Sequence, residues 1–144
     1  MSPLRWIAIA LLWALSAAAP AEEKVFGRYE VHYSVFASDF LQPPIAQAYR
    51  VVRAADRAVL TIAVRLRDGS GGSHTVAADV RGTHSDLVHR KDLGFREIRE
   101  DGAVYYIADF AFLDGETHHM SIDIRPSGDT STLSLRFPAT LYID

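Results

Sequence analysis

The chain contains no cysteine. That excludes a disulfide scaffold, a thiolate metal site, a cysteine nucleophile and a lipidated N-terminal cysteine. It has no basic excess either, with 15 Lys+Arg against 18 Asp+Glu, so no nucleic-acid partner is expected. Both tryptophans, Trp6 and Trp13, fall near the start, leaving none for a core further on. A Gly-x-Ser-x-Gly elbow is missing, and Gly69-Ser70-Gly71-Gly72-Ser73 lacks the Lys-Ser/Thr ending of a phosphate loop. With no catalytic constellation and no cofactor motif, a non-enzymatic protein is expected.

What is present is one domain's worth of sequence: 144 residues, 49% hydrophobic and 23% charged. Its start is unlike the rest. Arg5 is the only charge before Glu22, and Trp6-Ile7-Ala8-Ile9-Ala10-Leu11-Leu12-Trp13-Ala14-Leu15 is followed by Ser16 and small residues closing on Ala19-Pro20-Ala21. A basic start, a short apolar run and small residues before a polar segment read as a secretory signal peptide. The alternative, an uncleaved anchor, would need roughly 20 apolar residues, and Pro20 and the alanines end the run too early. Cleavage after Ala19 would leave Pro20 first, so residues 1–21 are taken as the leader and 22–144 as the mature domain. The expectation is a soluble, non-lipidated periplasmic protein with no membrane span after cleavage. No linker, charge block or repeat divides the mature domain. At that length it buries roughly two-thirds of its unfolded surface, enough to hold together without cross-links.

The periodicity is that of strands. Tyr29, Val31, Tyr33 and Val35 alternate with Arg28, Glu30, His32 and Ser34; Leu60, Ile62, Val64 and Leu66 alternate with Thr61, Arg65 and Arg67. Val76, Ala78 and Val80 oppose Thr75, Asp79 and Arg81, and Leu133, Leu135, Phe137, Ala139, Leu141 and Ile143 keep one parity. Pro138, which cannot donate to a ladder, suggests an edge, a bulge or a change of sheet. Glu97 and Glu100, beside Arg96 and Arg99, read as a charged edge strand. Asp68–Ser73, Asp101-Gly102, Asp114-Gly115 and Pro126–Asp129 each read as a hairpin turn. One short helical segment is expected at Pro43–Tyr49, where the prolines suit a first turn. About eight short strands imply an all-β fold, a single antiparallel β-sandwich with immunoglobulin-like packing, or alternatively a small barrel.

Two segments depart from simple alternation. Val104–Leu113 is apolar at nearly every position, so it is either a central strand whose second face is covered by a loop or by Pro43–Tyr49, or a strand presenting Tyr105 and Ile107 to a partner. Phe36, Phe40 and Leu41 surround Ser38-Asp39 ahead of Pro43-Pro44 and Tyr49. They read either as a plug closing one end of the sandwich or as a binding ridge, because a few large anchors dominate binding energy. The candidate interaction surface is therefore Phe36, Ser38, Asp39, Phe40, Leu41, Tyr49, Tyr105 and Ile107.

Six histidines in an exported domain invite a metal hypothesis. His118-His119-Met120 offers imidazole and thioether, ligands that suit copper. Strand geometry opposes it, since His118 shares a face with Met120, Ile122 and Ile124 while His119 shares the other with Ser121 and Asp123. His84 and His89 bracket a loop that could bring them together, at a spacing that fits no recognised ligand pattern. No metal site is assigned, with His118, His119 and Met120 as the alternative.

Tyr29-Glu30-Val31-His32-Tyr33, Phe36–Leu41, Val80-Arg81-Gly82, Leu93–Glu100, Ala103–Ala108 and Tyr142-Ile143-Asp144 together carry a resemblance. The chain resembles, over essentially the whole mature length, a proteobacterial family of small exported proteins classed only as a domain of unknown function. The family pattern has Asn-Ala-Phe where this chain has Ser34-Val35-Phe36, and Asn-Leu where it has Asp86-Leu87, so no role of those asparagines carries over. His118-His119-Met120 is not part of the pattern. The resemblance implies a Gram-negative envelope location and a β domain, and brings no activity, cofactor or catalytic residue with it. The reading is a periplasmic, non-catalytic binding or interaction module whose partner is an envelope protein or ligand, with copper or zinc handling through His118, His119 and Met120 as the alternative.

Overall fold

The structure, a computed structural model, describes residues 21–143, so the expected leader lies outside the described residues apart from Ala21. Ten strands and one short helix follow in the order β1 (Glu22–Phe26), β2 (Tyr29–Ala37), α1 (Pro43–Tyr49), β3 (Arg57–Arg67), β4 (Ser73–Thr75), β5 (Ala78–Ser85), β6 (Arg90–Leu93), β7 (Arg96–Glu100), β8 (Ala103–Ala111), β9 (Glu116–Pro126) and β10 (Leu133–Leu141). All pair antiparallel in two sheets. The first sheet runs β1-β2-β3-β8-β7, with β4 paired to the far end of β3; the second runs β10-β9-β5-β6. The fold is an all-β sandwich. No helix of the described residues is long and apolar enough to cross a membrane.

The alternating residues meet between the sheets. Val31, Leu60, Ile62 and Val64 from the first sheet and Ile122, Ile124 and Leu135 from the second are almost wholly removed from solvent. Pro138 lies in β10, an edge strand, and the charged Arg96–Glu100 segment forms the edge strand β7. Both positions leave unpaired backbone groups where solvent can reach them.

Three expectations about the strands need correction. Asp114-Gly115 is a corner between sheets, not a hairpin: the Phe112 N–H still donates to Asp56 O of the first layer at 2.9 Å, and three residues later the Gly115 N–H donates to Leu141 O of the second at 2.8 Å. Residues 75–81 are likewise not one strand. The Val76 N–H donates to Val64 O at 2.8 Å, and the adjoining Ala77 carbonyl accepts from the Ser127 N–H at 2.9 Å, so the chain changes sheets between neighbouring residues. The last apolar residue also leaves its strand, because Ile143 lies beyond β10 and its N–H donates to Asp114 Oδ1 at 2.7 Å.

Helix α1 begins with its two prolines and stops at Arg50, which is left-handed (φ 57°) and donates its N–H to Ala46 and Gln47 carbonyls. It lies on the outer face of the first sheet, where Ile45, Ala46 and Tyr49 pack with Phe36, Leu41, Val59 and Ile107 in a second apolar cluster. That cluster explains why β8 is apolar on both faces. It also places Phe36, Leu41, Tyr49 and Ile107 of the expected interaction surface in a core, each less than 9% exposed. Ser38 is fully buried as well: its hydroxyl donates to Val52 O at 2.7 Å and accepts from the Ala54 N–H at 2.9 Å. Asp39 and Phe40 remain exposed and Tyr105 half-buried, so the plug holds most of this segment and leaves a narrow accessible rim.

Candidate functional site

Strand β9 separates the three residues singled out for copper. His118 and Met120 face inward and are buried, while His119 faces solvent beside Pro138 of β10. The triplet therefore cannot converge on one ion, as its alternation anticipates.

His118 instead meets a histidine from another strand. In the β5–β9 ladder His84 lies opposite Met120, which makes His118, two residues earlier on β9, its diagonal neighbour on the inner face. Their Nδ1 atoms are 3.1 Å apart in a buried setting. Phe110 of β8 stands across from both, its ring centroid 4.6 Å from His84 and 5.1 Å from His118. Behind His118, Glu116 places a carboxylate oxygen against Nε2. Burial, followed by the charges of His118 and Lys91, holds His84 below the ordinary imidazole range.

The pair forms the floor of an open cleft of about 380 Å3, with Asp56, Asp86, His89, Lys91, Leu113 and Glu116 around it. Asp86 accepts the N–H groups of Val88 and His89 at 2.9 and 2.6 Å, which hold its carboxyl down at about 2. His89 is exposed and lies 3.6 Å from Asp86. The loop thus does bring His84 and His89 to one cleft, with His84 at the floor and His89 at the mouth.

A second concavity, about 440 Å3, lies on the outer face of the first sheet beside α1. His32, Tyr49, Thr61, Ile98, Tyr105 and Ile107 contribute to its walls, so three of the sequence-predicted residues share one groove. The Ser34 and Thr61 hydroxyls lie 2.6 Å apart in it, and the Tyr49 hydroxyl donates to Glu100 at 3.1 Å. Nearby on β1 and β2, Glu23, Glu30 and His32 bring ligand atoms within 4.8 Å of one another, the one such group of three among the described residues. Glu30 is already taken by Arg67 at 2.7 Å, which lowers its pKa.

Sequence reasoning placed His118 on the inner face and missed its pairing with His84. The alternation carries the first; the second depends on the register between strands 34 residues apart, for which no local signal exists.

No curated protein matches the chain. Among solved structures, a DUF4426 family protein from Pseudomonas aeruginosa PAO1 is similar at 31% identity and a TM-score of 0.74, over 86% of this chain and 96% of that one. Two structures of FetP from uropathogenic Escherichia coli strain F11 share the fold at 9% identity and a TM-score of 0.59. One is a copper-bound variant, covering 88% of this chain and 92% of that one. The other, as isolated after recombinant expression in the periplasm of E. coli BL21(DE3), covers 86% and 95%. A family model described as "Domain of unknown function (DUF4426)" matches residues 23–144, and with that match the chain belongs to the DUF4426 family.

Proposed function

We propose that this protein is an exported, non-catalytic binding module of the cell envelope. The observation that carries the reading is the groove on the outer face of the first sheet, where Tyr105 and Ile107 meet Tyr49 over a mainly apolar floor with a few hydroxyl groups. Apolar walls with sparse, placed polar groups are what a binding site needs to hold and orient a ligand. Phe40, 56% exposed at the turn before α1, is a second accessible aromatic anchor. Export is supported by the leader pattern, directly after which β1 begins at Glu22 and the family match at residue 23. The partner is an envelope protein or small ligand presenting an apolar group. Binding of the apolar dye anilinonaphthalene sulfonate to the purified exported protein tests the groove. Tyr105→Ala should abolish dye binding while circular dichroism stays native, and Phe40→Ala should reduce capture in periplasmic proximity labelling. Unchanged dye binding in a folded Tyr105→Ala protein would reject the groove.

A second reading, metal handling in the periplasm, is favoured by the buried His84–His118 pair. The fold shared with FetP, one of whose structures is copper-bound, supports it.

A further inference from the structure

We propose that His84 and His118 form a chelating site for one first-row transition-metal ion, Cu(II) bound most tightly, with Glu116 as the carboxylate that orients His118. The proposal rests on the metal-handling reading and goes beyond it by assigning the site.

The geometry of the nitrogens is the first argument. Two imidazole nitrogens, each about 2.0–2.1 Å from a shared ion and spread between a right angle and a tetrahedral angle, stand about 2.9–3.4 Å apart. The two Nδ1 atoms are 3.1 Å apart. They come from two strands of one rigid ladder and both rings lie against Phe110, so the spacing is held by packing. Imidazole donors suit copper, zinc and nickel, and among these the divalent order places copper first.

Glu116 is the second argument. A metal-bound histidine usually donates its other ring N–H to a carboxylate, which fixes the tautomer and leaves the ligating nitrogen bare. Glu116 brings a carboxylate oxygen to Nε2 of His118, on the side of the ring away from His84, in an ion-pair contact that is not aligned as a hydrogen bond, so Nε2 is a buried polar atom that a small rotation of Glu116 would satisfy. With the proton on Nε2, the His118 Nδ1 lone pair faces His84. In that tautomer the 3.1 Å contact of the metal-free protein would run from the His84 Nδ1–H to His118 Nδ1. When an ion enters, His84 moves its proton to Nε2 and presents Nδ1 to the ion.

Access is the third. The pair floors an open cleft in which Asp56, Asp86 and Glu116 outnumber Lys91, so the approach favours cations. Two protein nitrogens leave the remaining coordination positions to water or to a small donor arriving through the cleft, which suits an ion that is taken up and passed on.

The test uses the purified exported protein, stripped with a chelator and titrated separately with Cu(II) and Zn(II) by calorimetry, with electron paramagnetic resonance on the copper form. One ion per chain and hyperfine splitting from two imidazole nitrogens are expected. His84→Gln and His118→Gln, checked for fold by circular dichroism, should each weaken Cu(II) binding by about 100-fold or more, and Glu116→Gln by about 10–100-fold. His119→Ala should leave binding unchanged. If either glutamine variant fails to fold, His84→Asn and the two-nitrogen signature of the unmutated protein decide. No Cu(II) or Zn(II) binding by the unmutated protein would overturn the metal reading as a whole. Binding that survives His84→Gln and disappears in His32→Ala would keep metal handling and reject this site in favour of the exposed Glu23, Glu30, His32 group.

Discussion

The Tyr29 hydroxyl donates a 3.0 Å hydrogen bond to the Asp129 carboxylate, tying two residues 100 positions apart. Tyr29 opens β2 in the first sheet and Asp129 lies in the turn between β9 and β10 of the second, so the bond spans the sandwich. The Ser131 N–H, then Tyr29, hold the Asp129 carboxyl down at about 2. A carboxyl lowered in the folded state stabilises above its unfolded value, about 3.9, and that contribution is lost as pH falls toward the folded value. Asp86, also held at about 2, adds to the same window. Tyr29→Phe should lower the melting temperature at pH 7, and the gap from the unmutated protein should close between about pH 4 and pH 2, read by thermal melts across that range.

Ser38 illustrates a polar group that structure demands. Removing its hydroxyl by Ser38→Ala strands the Ala54 N–H and the Val52 carbonyl. The expected cost is about 1–3 kcal/mol in urea unfolding, with dye binding at the outer groove retained in the folded protein.

Gly82 of β5 pairs with Ile122 of β9 with no room for a side chain. A Cβ there would stand 2.7 Å from the Ser121 carbonyl oxygen and 2.9 Å from an Ile122 side-chain carbon. Gly82→Ala should therefore force the ladder apart and destabilise by about 1–3 kcal/mol. Because His84 lies two residues along the same strand, the variant should also change the separation of the two imidazoles, visible as shifted histidine ring signals in NMR.

Alkaline pH should loosen the first sheet on both faces, through Tyr49 on the outer face and through Tyr33, whose ring packs on Phe137 of the second sheet, on the inner. Burial first, then Glu100, pushes the Tyr49 hydroxyl above its ordinary range, and burial with Glu22 pushes Tyr33 up to about 12. Acids raised in the folded state stabilise fully below their unfolded value, about 10, and lose that contribution as pH rises past it. Unfolding monitored between about pH 9 and pH 12 should show falling stability, with a shallower fall in Tyr49→Phe.

Much of this architecture is legible residue by residue, and the limits have physical causes. The parity of Leu133 to Leu141 follows from local pattern, and the missing donor of Pro138 offers its edge placement as one of three alternatives, because alternation and missing donors act within one strand; whether Ile107 is covered by α1 or presented to a partner is decided by packing from outside its strand. Asp114-Gly115 reads like a hairpin because a corner between layers and a turn within one layer need the same backbone freedom; Gly115 has φ 73° in either role. The split of residues 75–81 is hidden as well, since Val76 and Ala78 keep one parity across the change of sheet. The family, carried by motifs spread along the chain, was readable where the His84–His118 meeting was not: it depends on how far β5 slides along β9.

Strand β1 contributes little to the core: four of its five residues are exposed, and Phe26 alone packs against it. It nevertheless pairs along β2 from Tyr29 to Tyr33. Without it, β2 would become a long bare edge, with one side chain in two belonging to the interior and a row of open amides beside them. Such an edge recruits any free strand, including another copy of itself. Strand β1 thus shields the longer β2, and trimming it should raise the tendency of the folded protein to self-associate.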